Sequence, residues 1–137
     1  MIVGMDTAGP VIGVGVLTDE VCLTKHERVR RGSETRLIPW LIELTQQAGV
    51  ALRDCQGVAV AQGPGAFTGV RVGLSTAAGL ATSLKVPVLP VMSLAPRAEQ
   101  ARLSGVNDKQ WAVLSMLDAR KGRVYAALYT PGGELIE

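Results

Sequence analysis

The strongest constraint on the fold of this chain is a change in the period of its apolar residues near residue 33. Before that point the apolar runs are short and valine-rich. They are Ile2 to Met5, then Val11 to Leu17, in which Val11, Gly13, Val14, Gly15 and Val16 mix valine with glycine, then Val21 to Val29, which begins apolar and becomes charged. Short runs of this kind bounded by turn residues are the mark of strands. The segments between them, Ala8-Gly9-Pro10 and Thr18-Asp19-Glu20, are turn sequences too short for a crossover. Three strands joined in this way must be antiparallel neighbours.

Beyond that point the period becomes helical. Leu37, Leu41, Leu44 and Ala48 follow one another at helix spacing, with Ser33 as the expected N-cap and Gly49 as the expected stop. Pro39 must either kink this helix or belong to its first turn. Val58 and Val60 read as a short buried strand, Gly63 to Phe67 as a loop and Gly69 to Leu84 as a second helix. Val86 to Val91, bounded by Pro87 and Pro90, reads as a strand, and Ser93 to Leu103 as a third helix. Trp111 to Leu117 and Val124 to Tyr129 form a last strand pair. The order β-β-β-α-β-α-β-α followed by β-β predicts an α/β chain with a mixed sheet, in the ribonuclease-H-like arrangement.

The end of this pattern echoes its beginning. Met5-Asp6-Thr7-Ala8-Gly9 leads into Val11 to Val16, and Leu117-Asp118-Ala119-Arg120-Lys121-Gly122 leads into Val124 to Leu128. Each is strand, aspartate, tight turn, strand. A common turn form would give this, and so would a duplicated fold whose second copy has only begun. On the second reading residues 1–105 are a first lobe and residues 106–137 are the start of a truncated second lobe.

Composition narrows the class. The 137 residues are 47% apolar and 19% charged, which excludes a disordered tail, and the 16 Gly and 7 Pro follow no period. Aromatics are only 4%, so Val, Leu and Ala must fill the core. With 14 basic against 12 acidic residues the net charge is +2, too small to argue a nucleic-acid or membrane surface alone. Cys22 and Cys55 stand far apart and His26 is the one histidine, so no metal is assigned. Asp6 interrupts the first apolar run, and no run approaches the length of a membrane span. The expectation is a soluble cytoplasmic protein.

The most distinctive stretch is Gln62-Gly63-Pro64-Gly65-Ala66-Phe67-Thr68-Gly69-Val70-Arg71, which follows a predicted strand and opens a helix. Glycines placed there can aim backbone N–H groups at an anion. No Lys-Ser or Lys-Thr follows, so it is not a Walker loop, and the spacing of Gly63, Gly65 and Gly69 is not that of GxGxxG. The competing reading is a tight strand-to-helix turn with Phe67 plugging the core. Asp6 and Asp118 end predicted strands, where carboxylates can hold a magnesium–phosphate complex or simply brace a turn. Between residues 37 and 44 the apolar side chains sweep about 200° of the first helix, more than one core face requires. Trp40 at the edge of that arc suggests a partner contact. The second helix is rich in small residues, among them Gly73, Ala77, Ala78, Gly79 and Ala81, which suits close packing on the sheet, on a partner, or both. Lys25 to Arg31 is basic but holds Glu27, and reads as a solvated strand end with direct RNA contact as the weaker alternative.

Three stretches resemble the bacterial TsaB family, also called YeaZ: Ile2 to Thr7 (IVGMDT), Gly63 to Arg71 (GPGAFTGVR) and Leu117 to Tyr125 (LDARKGRVY). The resemblance implies an actin-like (ASKHA) ribonuclease-H-type lobe and a role in making threonylcarbamoyladenosine on tRNA. It implies a non-catalytic scaffold that pairs with a TsaD-type catalytic subunit through helices of the first lobe, with a TsaE-type ATPase joining there. The tRNA is then engaged through the complex, and no membrane is involved. A homodimer would use the same kind of apolar helix face. Carried onto this chain, the interface falls on Arg36, Leu37, Trp40, Leu41 and Leu44 of the first helix and Arg71, Leu74, Ser75 and Ala78 of the second. Asp6, Thr7, Gly63, Gly65, Thr68 and Asp118 are the candidates for a phosphate or loop site.

No catalytic residue is assigned. A TsaD-type subunit needs a histidine pair for its metal, whereas this chain has His26 alone. Ser33 stands where related chains often carry a histidine. Thr7-Ala8-Gly9 departs from the Asp-x-Gly-Thr phosphate loop of active relatives, which argues against ATP binding by this chain and leaves ATP with magnesium as a ligand of the complex. The other functional class open to the sequence is a nucleotide-binding phosphotransferase or ATPase fragment of the same fold. A glycoprotease-like hydrolase fits poorly, for want of a metal site or nucleophile pair. Family members usually carry a complete second lobe, and this sequence stops after that lobe's first hairpin.

Overall fold

The computed structural model describes residues 1–28, 35–105 and 110–136. Its strands are β1 (Ile2–Asp6), β2 (Val11–Leu17), β3 (Cys22–Arg28), β4 (Gly57–Gly63), β5 (Val88–Met92), β6 (Val113–Arg120) and β7 (Arg123–Tyr129). Its helices are α1 (Leu37–Gln47), α2 (Phe67–Leu84) and α3 (Ala95–Leu103), with one 3-10 turn at Leu52–Asp54. Five strands form one sheet in the order β3-β2-β1-β4-β5, and β6 and β7 form a second. The first three strands run antiparallel to their neighbours, and β1, β4 and β5 run parallel. This is the ribonuclease-H-like topology that the sequence predicts.

Alternation decides the faces. Val3 and Met5, then Ile12, Val14 and Val16, then Val58 and Val60 point to one side and are buried. α1 lies over β2 and β3 on that side, and α2 over β1 and β4. The helices close the core with Leu37, Leu41, Leu44, Ala77 and Ala81. A second cluster joins Leu94 and Ala98 to Ala127 and Tyr129, so α3 packs against the β6–β7 hairpin. On α3, Arg102 hydrogen-bonds both Glu99 carboxylate oxygens, at 2.8 and 2.6 Å, and holds that carboxyl below its ordinary pKa.

Helix ends follow local chemistry. Gly49, at φ +68°, takes the left-handed conformation that ends α1, and Val50 N–H donates back to Thr45 O at 3.0 Å. Pro39 sits in the first turn of α1, where its missing N–H costs nothing. Ser33, the expected N-cap, lies outside the described residues, and Arg36 occupies the cap position with no side-chain cap bond. At the end of α2, Lys85 adopts the left-handed conformation at φ 57°, and Val86 N–H returns to Ala81 O.

The boundaries shift from expectation in informative places. β4 runs on through Gly63, where a loop is expected, because Ser93 N–H donates to Gly63 O and extends the ladder. α2 begins at Phe67 rather than Gly69, and α3 at Ala95 rather than Ser93.

The echo between the two ends of the chain reaches individual hydrogen bonds. Asp6 Oδ1 accepts the N–H of Ala8 at 2.8 Å, and Asp118 Oδ1 accepts the N–H of Arg120 at 2.7 Å. In both turns an aspartate accepts the amide two residues on; Asp6 ends β1 as expected, whereas β6 runs two residues beyond Asp118 to Arg120. The second turn is tighter, with Arg120, Lys121 and Gly122 all at positive φ.

Candidate functional site

The glycine-rich loop is built around the turn that follows β1. Ala66 N–H donates to Ala8 O at 2.7 Å, and Thr7 Oγ1 donates to Gly69 O at 2.6 Å. A Cβ added at Gly65 would fall on Ala8 O, and one at Gly69 on Thr7 O. One added at Gly73 would stand 2.5 Å from Thr7 Oγ1. These three glycines, spaced four apart, let the first turns of α2 lie directly on the Thr7–Ala8 backbone. The space a phosphate would need there is filled by the chain itself. Thr7 is buried and its hydroxyl committed, so Thr7→Val is expected to cost about 1–3 kcal/mol in urea unfolding, from a lost buried hydrogen bond and crowding of Gly69 O.

The other phosphate candidates fare no better. Asp6 and Asp118 each brace their own turn, Gly63 is buried in the ladder, and only Thr68 is exposed at the mouth of α2. The loop does not fit a phosphate, and no step is derived through ATP or magnesium. Among the described residues no three of His, Cys, Asp and Glu converge as metal ligands. Among them too, no helix is long and apolar enough to cross a membrane.

The helix faces divide the predicted interface residues. Leu37, Leu41 and Leu44 are buried at 0, 0 and 3% exposure, in contact with the sheet. These three leucines belong to the chain's own core and not to a partner interface, while Ile38 and Trp40 lie at the core's margin. Trp40 is half-buried at the core's margin, with the Lys25 ammonium 5.8 Å from its ring centroid, and Lys25 also pairs with Glu43. Arg36 pairs with Glu27 across to β3. Ile42, which the sequence did not single out as a contact, is 43% exposed.

α2 divides in the same way. Leu74 packs inward at the core's edge, while Thr68, Arg71, Ser75, Ala78, Gly79 and Thr82 line the outer face. Phe67 does not plug the core. It stands 75% exposed at the start of α2, with the Arg71 guanidinium 5.2 Å from its ring. No periodicity signal marks that residue in the sequence, because its orientation depends on where α2 begins.

On the sheet face away from α1 and α2, register sets Thr24, Gly15, Gly4, Ala59 and Leu89 side by side across all five strands. Thr24, Gly15, Gly4 and Ala59 of this row, with Asp6, His26, Pro96 and Gln100 around them, line a shallow cavity of about 430 Å³. His26 lies here, exposed at the edge strand, and among the described residues it belongs to no cluster of possible metal ligands.

Comparison with known proteins agrees with this architecture. TsaB of Escherichia coli K12, a tRNA threonylcarbamoyladenosine biosynthesis protein, is 34% identical over 93% of this chain and 54% of its own length. The Bacillus subtilis protein of the same name is 30% identical over 99% of this chain and 58% of its own. The chain thus spans a little over half the length of these relatives. The solved structure of YeaZ from Pseudomonas aeruginosa superposes with a TM-score of 0.88 at 35% identity, covering 98% of this chain and 62% of that one. Residues 24–137 match the family described as TsaD: tRNA N6-adenosine threonylcarbamoyltransferase, so the chain belongs to that family, and within it resembles the TsaB (YeaZ) proteins in sequence and in its actin-like, ribonuclease-H-like fold.

Proposed function

We propose that this chain takes part in threonylcarbamoyladenosine modification of tRNA as a non-catalytic scaffold for a TsaD-type catalytic subunit. The observation that carries the reading is the outer face of α2. Ser75, Ala78, Gly79 and Thr82 are small, uncharged and exposed, with Arg71 and Phe67 at one end. A helix with so little side-chain bulk lets a partner helix approach its backbone closely. Among the described residues nothing requires Gly79 to be glycine, since an added Cβ would meet none of them within 4 Å. Ile42, 43% exposed, is a further apolar residue on the surface of α1.

The non-catalytic part of the reading rests on residue types. One histidine cannot form the pair that a TsaD-type metal site needs, and the loop that could have held a phosphate is filled by Thr7 and Ala8. The β6–β7 hairpin is read as the beginning of a second lobe, with residues 1–105 as the first. A TsaE-type ATPase and tRNA join through the complex in this scheme.

The test is capture of a TsaD-type subunit by the tagged chain, wild type against Ser75→Glu with Ala78→Glu. Both positions are exposed on α2, so stability is expected to change by no more than about 0.5 kcal/mol. Capture is expected to fall at least tenfold, because two unpaired charges would be driven into a close helix contact. Undiminished capture would remove α2 from the interface. A magnesium-dependent affinity for ATP in the isolated chain, lost in Asp6→Ala, would instead favour the nucleotide-binding alternative.

A further inference from the structure

We propose that the tip of the β6–β7 hairpin, Arg120, Lys121 and Arg123 with Tyr125 beside them, holds the phosphate backbone of RNA. The choice of RNA rests on the tRNA-modification reading; the cationic site itself does not.

Charge is concentrated at this tip. The chain carries 14 basic and 12 acidic residues. The hairpin holds three of the basic residues and one acidic residue, Asp118, which leaves 11 of each sign elsewhere. The formal charge of +2 therefore sits on one hairpin. Arg120, Lys121 and Arg123 are exposed, and among the described residues none of them pairs with a carboxylate; the ion pairs there engage Lys25, Arg36 and Arg102 instead. Asp118 is turned to the backbone, where its Oδ1 accepts the Arg120 N–H at 2.7 Å. The matching turn after β1 makes the same aspartate hydrogen bond with Thr7, Ala8, Gly9 and Pro10 and no cation, so the turn form does not require one.

The cations are held against local preference. β6 and β7 keep one register from Val113 opposite Tyr129 to Asp118 opposite Val124, then slip by one residue. Without the slip Ala119 would face Arg123; with it Arg120 does. Like charges directly opposed across two strands repel. Arg120 and Lys121 also take φ of 65° and 54°, left-handed values that are unfavourable for any residue with a Cβ and suit glycine. Repulsion and backbone strain thus meet at side chains whose common property is positive charge. An anion between them removes the repulsion. Each guanidinium can give two parallel N–H bonds to phosphate oxygens, and the ammonium adds a point charge.

Tyr125 decides which anion. It is 41% exposed and stands two residues on from Arg123, on the same face of β7. A ring beside arginines suits a polymer in which phosphates alternate with flat bases, since a base can stack on the ring while the guanidinium groups hold the phosphates on either side. An acidic peptide offers charge but no base.

The probe is an in vitro transcribed tRNA, titrated with the 137-residue chain and read by fluorescence anisotropy. Binding is expected with a Kd of about 100 µM or tighter at about 50 mM salt, weakening as salt rises. Arg120→Gln with Arg123→Gln is expected to weaken it about tenfold and to make the plot of log K against log salt shallower by roughly 1.5 to 2, the mark of two lost phosphate contacts. Tyr125→Ala is expected to weaken it about fivefold or more with the salt slope unchanged, because stacking releases no counterion. Arg120→Gly is expected to raise the urea midpoint while weakening binding, opposite movements that a purely structural residue would not show. No binding by the wild-type chain, or a double variant that binds as wild type does, overturns the proposal. Equal affinity for polyglutamate, with no effect of Tyr125→Ala, overturns the assignment to RNA in favour of an acidic peptide. Ser75→Glu with Ala78→Glu leaves the tip intact and is expected to bind the tRNA as wild type does, so failure of the scaffold reading and failure of this proposal show separately.

Discussion

Gly69→Ala is expected to destabilise the chain by about 3 kcal/mol or more, the upper end of what overpacking costs. The new methyl would land on the carbonyl oxygen of Thr7, which is backbone and cannot swing aside. Relief requires α2 to lift from the β1–β2 turn. That movement would break the Thr7 Oγ1 to Gly69 O and Ala66 N to Ala8 O hydrogen bonds together. Since a domain has only about 5–15 kcal/mol in hand, the loss would show as a large drop in the urea midpoint. The control is Gly79→Ala on the same helix. An added Cβ there meets nothing, and the position is helical and exposed, so the change is expected to stabilise by about 1 kcal/mol through helix propensity alone. Opposite signs from the same substitution would separate a glycine needed for close approach from one the fold does not need. Equal effects would refute the packing account of the loop.

Leu41→Ala is the second large expected effect, a loss of about 2–5 kcal/mol from the buried volume it leaves empty. Leu41 is 0% exposed where α1 meets the sheet. Its neighbour Ile42 is 43% exposed, and Ile42→Ala is expected to change stability by no more than about 0.5 kcal/mol. Measured together in urea, the pair checks the correction to the interface of α1. If Leu41 faced a partner rather than the core, its truncation in the isolated chain would cost as little as that of Ile42.

Much of the fold was legible because the signals were local. The alternation in Val11 to Leu17 marked a half-buried strand, and the short turns before and after it dictated an antiparallel meander. Gly49 marked the end of α1, because the left-handed conformation it adopts is cheap only for glycine. The apolar arc of α1 misled for a complementary reason. Periodicity counts apolar residues around a helix but does not say how much of the arc the sheet covers. The face of β2 and β3 takes Leu37, Leu41 and Leu44 together, keeps Ile38 and Trp40 partly buried at its margin and leaves Ile42 exposed.

The candidate site divides along the same line. From the sequence by itself came the strand-loop-helix setting of Gly63 to Arg71, the lone histidine, and the paired aspartate turns at Asp6 and Asp118. These are properties of neighbouring residues and of composition. Tertiary structure alone decided what the glycines are for. Thr7 and Gly69 are 62 positions apart, and whether the space above Gly69 holds a ligand or the chain's own carbonyl depends on how closely α2 settles on β1. Backbone periodicity is written residue by residue, whereas the distance between two packed elements is set by every side chain between them.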